Sequence, residues 1–485
     1  MDGHVRAACE QERLTRVRGV GLAGTALPVE AVDGVMALAH CRPDDVTTYV
    51  VAEPEVRLPA GLRTWTVDHH QAHAATAFLT SPFERAAVLV CDSESGRELS
   101  VWSGNGNRVV DLRWPWRGGA FASLFAQCAE LFAPGSPARA YEMEVLAHLG
   151  RGDGVERLRN VFRLDDDCLD IDSRWREHVA RMIEWEGRPP AHAAETASAV
   201  QRRIGDLLLE LLGEIRATVG ADALCVAGGF FYNTYFTTLV RTSGIFERTF
   251  VPINPGNAGL CVGAALMLDR ENGGGGAART VVSPFLGPSY DSETIKATLD
   301  GCKLSYEFVS ENDAIDAAVA ALGRGELVGW FQGRMEWGHR ALGHRSILAD
   351  ACSPYVLDNL NSFLRKRERS RPFGLAACDD AVPKLLCGPS ASPFMEYEYR
   401  PRDDRFRHVL PPGATSIRVQ TVPADAGPFR RLLETVEQAT GTGALVNTSF
   451  NGFNEPIVCN PRDAIRVFFG TGLDLLVIGQ FILRK

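Results

Sequence analysis

No CxxC pair, no GxxxxGK[ST] loop and no long apolar run occurs in the 485 residues of the chain. Each absence removes a class. Without cysteines paired at metal or redox spacing, the 12 cysteines make neither a zinc ribbon nor a readable disulfide framework. Many sit inside apolar segments, as Cys91, Cys225 and Cys261 do, so reduced, buried thiols and a cytoplasmic location are expected. Without the phosphate-cradling loop, the chain is not a Walker-type ATPase. Nothing approaches the roughly 18 consecutive apolar residues of a membrane span, and the opening MDGHVRAACEQERLTRVRG has no apolar signal core. Positive charge is in deficit too: 51 Lys and Arg against 60 Asp and Glu leave a net charge of −9. A broad nucleic-acid surface is therefore not expected, although the balance leaves room for a local basic pocket.

What is present is ordinary for a soluble globular protein, with 45% hydrophobic and 23% charged residues. The length exceeds one ordinary core, so two or three domains are expected. Asn272 to Ala277, NGGGGA, is the clearest linker. It divides the chain into 1–276 and 277–485.

In the first part, Val5, Ala7 and Cys9 alternate with polar neighbours, which predicts a strand leading into a helix. A short helix is expected over 32–39, a buried strand over 47–52 and another strand over 64–67. Asp68 then caps an alanine-rich helix from His69 to Phe78. On it His69 and His73 lie one turn apart, a spacing at which two imidazoles can share one metal ion, while His70 points about a quarter turn away. A helix carrying surface histidines would show the same pair, so the spacing alone does not decide. Ala86 to Cys91 reads as a strand buried on both faces. It ends at Asp92 and leads through SESG into two further strands, an antiparallel meander with an acid at its tip. Helices follow over 121–132 and 191–219, the second with Ile204, Leu207, Leu208, Leu211 and Ile215 in one apolar stripe. Two strands, 223–227 and 248–251, run into glycine turns, at Gly228-Gly229 with Asn233 beyond, and at NPGNAG, 254–259. Such turns put backbone N–H groups where an anion can be cradled. With the meander, they point to an actin-like or ribonuclease-H-like nucleotide-binding fold.

The second part reads as α/β: helices over 292–299, 313–323, 355–363, 428–440 and 461–469, with strands over 327–332, 417–422 and 475–481 and a strand and turn over 444–451. Its distinctive stretch is cationic. Arg334, Arg340, Arg345, Arg365, Lys366, Arg367, Arg369 and Arg371 crowd together in an acidic protein, with Gly333, Gly338 and Gly343 five residues apart among them. RKRER alone could be a solvated face. Glycines that admit a close ligand, next to guanidiniums that bind phosphate bidentately, fit a nucleotide pocket better.

On DGHVRAACEQERLTR, HHQAHAATAFLTSPF, AGGFFYN, PGNAGLCVGAAL, GRMEWGHRALGHRSILAD with RERSRPF, and VNTSFNGFNEPIV, the chain resembles the ATP-dependent O-carbamoyltransferases of the NodU/CmcH type. The resemblance implies an actin-like N-terminal domain similar to the tRNA threonylcarbamoyl transferases. The C-terminal domain would be similar to the synthases of threonylcarbamoyl-adenylate. It implies that carbamoyl phosphate and ATP, the latter with Mg(II), give carbamoyl-adenylate, and that a small-molecule hydroxyl or amine then takes the carbamoyl group. Arg340, Arg365, Arg371 and Arg418 match the catalytic positions, with Arg367, Asn447, Ser449 and Asn451 as nucleotide contacts. Gly228, Gly229 and Asn233 would hold the adenylate. His69, His73, Asp92 and Asn257 would hold a divalent metal, Fe(II) before Mn(II) or Zn(II). No nucleic acid or membrane partner is implied, and a homodimer is compatible.

Departures from the family pattern add further expectations. Asn257 stands where the family has Asp, which lowers the charge offered to a metal. Ala140 and Glu142 replace a Glu and a Lys, and Arg365 replaces a Lys. The family's opening strand and His-Asp-Ala-Ser turn precede the position of Met1, so open hydrogen bonds are expected in the first sheet. Two other readings follow: a paralogue with a degraded transfer site acting as a binding subunit, and an enzyme that diverts the adenylate to another acyl transfer or to hydrolysis.

Overall fold

The computed structural model describes residues 3–21, 26–52, 58, 61–185, 191–274 and 281–485. The end of the glycine linker, and with it the expected boundary at 276/277, lies outside them. Among the described residues no helix is long and apolar enough to cross a membrane.

The N-terminal half is built on a five-stranded sheet. Arg85–Cys91 pairs antiparallel with Leu99–Asn105, which pairs with Arg108–Asp111; on its other side lie Ala223–Ala227 and Arg248–Phe250, both parallel. A meander followed by parallel strands is the ribonuclease-H-like order, and the N-terminal half is actin-like. The sheet is sandwiched. On one face Ala191–Val219 buries Ile204, Leu207, Leu208, Leu211 and Ile215 completely. On the other face lies the histidine helix, His69–Leu79, capped by the Asp68 side chain accepting from Gln71 N at 3.0 Å. It packs so closely on Leu260–Glu271 that a Cβ at Gly263 would stand 2.2 Å from the Ala72 carbonyl oxygen.

The C-terminal half folds on a mixed sheet of ten strands, with Val328–Phe331, Arg345–Asp350, Ala444–Ser449, Gly374–Cys378 and Ile417–Val422 side by side at its centre. Helices Glu311–Gly323, Pro428–Thr440 and Pro461–Gly470 fall close to their expected ranges.

Several expectations are corrected. Residues 4–10 form no strand: Ala8 N donates to Leu286 O at 3.2 Å instead of entering a ladder, because no neighbouring strand lies alongside. The segment bridges the halves instead. Arg334 donates to the Arg6 carbonyl at 3.1 Å, Glu10 accepts from Gly338 N at 3.1 Å, and Arg13 donates to Gly338 O at 2.9 Å. The buried strand expected over 47–52 shrinks to Tyr49–Val51, half-buried and paired with Thr64–Thr66. The last strand is a hairpin, Leu475–Ile478 and Phe481–Arg484, turned by Gly479 at φ +58°. The helix expected over 355–363 is a π-helical turn, Asp358–Leu364.

Gly263 is what lets the histidine helix sit against its neighbour. Gly263→Val is expected to destabilise the protein by about 1–3 kcal/mol or more through overpacking, read as a lower midpoint in thermal unfolding.

Candidate active site

Two constellations lie on opposite sides of the junction between the halves. In the first, the capped helix start and the end of the central strand bring His69, His73 and Asp92 together. His73 Nε2 is 2.8 Å and His69 Nε2 3.6 Å from Asp92 Oδ2, all three residues are buried, and their donor atoms lie within 4.8 Å of one another. Burial alone would push the Asp92 carboxyl up. The close approach of His69, the hydrogen bond to His73 and the charge of His73 outweigh it and hold Asp92 well below the usual carboxylate range. Two imidazoles and a carboxylate on one side are a donor set suited to a divalent transition metal with open positions, and the buried His73 Nδ1 has no hydrogen-bond partner among the described residues. The expected fourth residue, Asn257, donates its amide Nδ2 to Glu94, two residues beyond Asp92, so Oδ1 is the side-chain atom left to offer.

The sequence reading set His70 aside, and the fold gives it partners. Its Nδ1 lies 2.7 Å from Ser100 Oγ, which accepts from Trp102 Nε1 at 2.7 Å. Burial, then the nearby His73 and His69, push the His70 imidazole down to about 4.

The glycine turns are structural, with Gly228 buried and Gly229 exposed. Gly228 has φ +101°, and a Cβ there would fall 1.8 Å from the Cys91 carbonyl oxygen, so only glycine fits. Asn233 does not offer its side chain to a ligand: Oδ1 accepts from Tyr235 N at 3.0 Å as a helix cap, and Nδ2 donates to Gln201 Oε1 at 2.8 Å. A cavity of about 700 Å³ opens beside the next loop, lined by residues including Tyr232, Asn254, Asn257, Leu266 and His339.

The second constellation is the cationic block, which the fold sorts into two kinds. Arg345 is fully buried and donates to the carbonyls of Gln332 at 2.6 Å, His344 at 3.0 Å, Pro288 at 3.1 Å and Gly333 at 3.2 Å; Arg334 similarly holds Leu286 and Gly287. These two are scaffold. Lys366 and Arg369 are exposed. Arg340, Arg365, Arg367, Arg371 and Arg418 instead converge. Desolvation and Arg418 push Arg340 down to about 9, and desolvation and Arg367 push Arg365 down to about 9, so both stay charged near neutral pH. Arg365 bonds the Asn451 side chain and the carbonyls of Asn451 and Ser449, joining three expected residues in one unit. Arg367 Nε donates to Asn361 Oδ1 at 2.7 Å. Asn447 bonds Ala341 O at 3.2 Å and Gln420 Oε1 at 2.8 Å, which leaves its buried Oδ1 without a partner. The Nε groups of Arg365 and Arg418, residues only 6% and 7% exposed, also have none among the described residues. Buried donors in that state cost stability unless a ligand accepts from them.

Comparison with known proteins agrees with this layout. The carbamoyltransferase N-terminus family matches residues 62–266, and the carbamoyltransferase C-terminus family matches residues 319–485. An uncharacterized protein of Synechocystis sp. is 30% identical over 481 residues, covering 86% of this chain and 76% of that protein. The chain belongs to the carbamoyltransferase family. The nodulation protein NolO of Bradyrhizobium diazoefficiens is 29% identical over 452 residues, covering 86% of this chain and 79% of its own length. The nodulation protein NolNO of Sinorhizobium fredii is 26% identical over 540 residues, covering 100% of this chain and 78% of its own.

This carbamoyltransferase carries site neighbours outside the expected catalytic, nucleotide and metal residues. Tyr141, Glu142 and Glu144 reach from the N-terminal half to Arg371 and Arg418. Glu10 and Arg13 join the 254–259 loop to Gly338 through Asn254, whose Nδ2 lies 3.1 Å from Glu10 Oε1. The alternating charges of EQERLTR were the available signal; Tyr141 and Glu144 gave none, since only the docking of the halves sets their neighbours.

His70, and with it His344, whose imidazole is also pushed down by desolvation, resist protonation in the folded state. Their stabilising effect is complete above the unfolded imidazole value of about 6.5. It is lost as pH falls toward about 4 for His70. Thermal midpoints are therefore expected to drop across that window, and His70→Phe to flatten part of the slope.

Proposed function

We propose that this carbamoyltransferase works in two half-reactions, with 277–485 as the adenylate-forming unit and 1–276 as the transfer unit. Carbamoyl phosphate, ATP and water give carbamoyl-adenylate, phosphate and pyrophosphate in the first. In the second, a hydroxyl or amine of a small natural product attacks the carbamoyl carbon and AMP leaves. The observation that carries the first half is the convergence of five arginines with buried, unpartnered Nε groups on Arg365 and Arg418. Guanidiniums already held in place offset the charge that builds as phosphates meet, at little reorganisation cost. Arg340, beside the Tyr232 carbonyl at 3.5 Å, sits at the junction of the two units.

For transfer, the turn at Gly228 and Gly229 offers the exposed Gly229 to the adenylate, with Gly228 N held by the Pro255 carbonyl at 2.7 Å, and Asn233 supports that turn as a helix cap. His69, His73 and Asp92 would hold a divalent ion, Fe(II) in first place and Mn(II) or Zn(II) otherwise, with Asn257 Oδ1 in the fourth position. When bound, such an ion polarises the carbamoyl carbonyl as a Lewis acid. Glu94, joined to Asn257, brings back near the site a negative charge that an Asn ligand lacks. The acceptor enters from the cavity beside Asn257. A binding paralogue without transfer is the second reading, and the neutral Asn257 is what favours it.

Purified protein with ATP, Mg(II) and carbamoyl phosphate is expected to release pyrophosphate, and Arg340→Ala to lower that rate by about a hundredfold or more. No release from the wild type would refute the adenylation half. Elemental analysis is expected to find near-stoichiometric iron, manganese or zinc that His73→Ala loses; a metal-free wild type would favour the binding paralogue.

A further inference from the structure

The helix Arg139–Leu149 belongs to the N-terminal half, yet one face of it looks into the arginine pocket of the C-terminal half. Tyr141, Glu144 and His148 are spaced i, i+3 and i+7 and so share that face. The Arg371 guanidinium lies 5.0 Å from the Tyr141 ring centroid, Glu144 Oε1 is 3.6 Å from Arg418 Nη1, and His148 Nδ1 is 3.8 Å from Glu398 Oε2. Glu142, beside the stripe, stands 3.8 Å from Arg371 Nη2. These separations allow ion pairing but exceed hydrogen-bond range. The two carboxylates thus add negative charge beside Arg371 and Arg418 without occupying their donors: Arg371 Nε donates to Glu368 at 3.1 Å, Arg418 Nη2 reaches the Pro372 carbonyl at 3.5 Å, and Arg418 Nε has no hydrogen-bond partner among the described residues. A phosphate group would bond the same guanidiniums bidentately. It could not share the pocket with two carboxylates at small cost, because like charges in a desolvated cleft repel strongly.

We propose that the Glu142–Glu144 turn is a charge-sensitive latch on the anion pocket, displaced by a polyphosphate and compatible with a singly charged nucleotide. Its part in turnover rests on the adenylation reading. ATP and pyrophosphate carry several negative charges, whereas carbamoyl-adenylate carries one. While polyphosphate is bound, the helix is held off. Once pyrophosphate leaves, Arg371 and Arg418 regain Glu142 and Glu144, and the transfer half closes over the adenylate. The two carboxylates therefore determine which anions the docked state accepts.

The test is equilibrium binding of inorganic pyrophosphate and, separately, the methyl ester of AMP, a phosphodiester with a single negative charge, to the full chain and to Glu142→Gln/Glu144→Gln. The double variant is expected to bind pyrophosphate about tenfold or more tighter, with affinity for the singly charged ester changed by less than about threefold. In the wild type, saturating pyrophosphate is expected to speed hydrogen exchange of the 139–149 amides about tenfold or more, and the ester not to. Unchanged or weaker pyrophosphate binding in a folded double variant overturns the latch. If that variant does not fold, unchanged exchange of 139–149 in the wild type overturns it. Neither readout needs turnover: a wild type that released no pyrophosphate from its substrates would refute the adenylation reading and leave the binding and exchange results to stand.

Discussion

Guanidinium groups repel one another, and the repulsion grows when they are taken out of water. Arg340, Arg365, Arg367, Arg371 and Arg418 are nevertheless held together at the junction of the halves. Arg365 and Arg367 are tethered by uncharged groups that leave their charge intact, while Arg371 and Arg418 lie against carboxylates. Arg365 is tied to main-chain carbonyls of Ser449 and Asn451, and Arg367 to Asn361 with its guanidinium over Phe373. Arg371 is tied to Glu368 at 3.1 Å, and Arg418 faces Glu144. A carbonyl oxygen accepts a hydrogen bond but carries no full charge, so it orients a cation without cancelling it. The pocket keeps a surplus of positive charge in a protein whose net charge is −9. That surplus can be stabilised only by an anion.

The rest of the architecture serves this constraint. The π-helical turn Asp358–Leu364 delivers Arg365 and Arg367, and the central strand Ile417–Val422 delivers Arg418. The N-terminal half contributes the opposing carboxylates. Residues 6–16 clamp the halves through Arg334, Glu10, Arg13 and Arg16, the last bonding the carbonyls of Pro456 and Ile457. On the far side of the junction the same logic runs with the sign reversed. Asp92 ends a buried strand and is held ionised by two imidazoles, a cluster that favours a cation.

Much of this could be read before any coordinates. Ala-Ala-Val-Leu-Val-Cys is too apolar for anything but a buried strand, the 204–215 stripe has the period of a helix with one buried side, and Asp68 is a cap by chemistry alone. His69 and His73 were legible as a pair because one helical turn is local geometry, and Asp92 as an acid at a strand tip; that the three share one site was what the resemblance implied. Other residues misled for equally definite reasons. Val5, Ala7 and Cys9 have a strand's alternation, but a strand exists only with a neighbour to bond. Asn233 carries the family's polar group, yet a capping hydrogen bond and Gln201 engage both ends of its amide. Arg345 looked like its neighbours in the cationic block, and full burial among carbonyl oxygens made it scaffold.

The sequence by itself determined the α/β class, the order of the actin-like elements, the location of the cationic block and the one-turn spacing of His69 and His73, because each depends on residues within a few turns or one strand of one another. Only the tertiary structure decided which arginines face one another across a shared pocket, that Glu142 and Glu144 stand opposite two of them, and that Asn257 is joined to Glu94. Those contacts link residues far apart in the chain, and their electrostatics follow from how much water the docking of two halves removes.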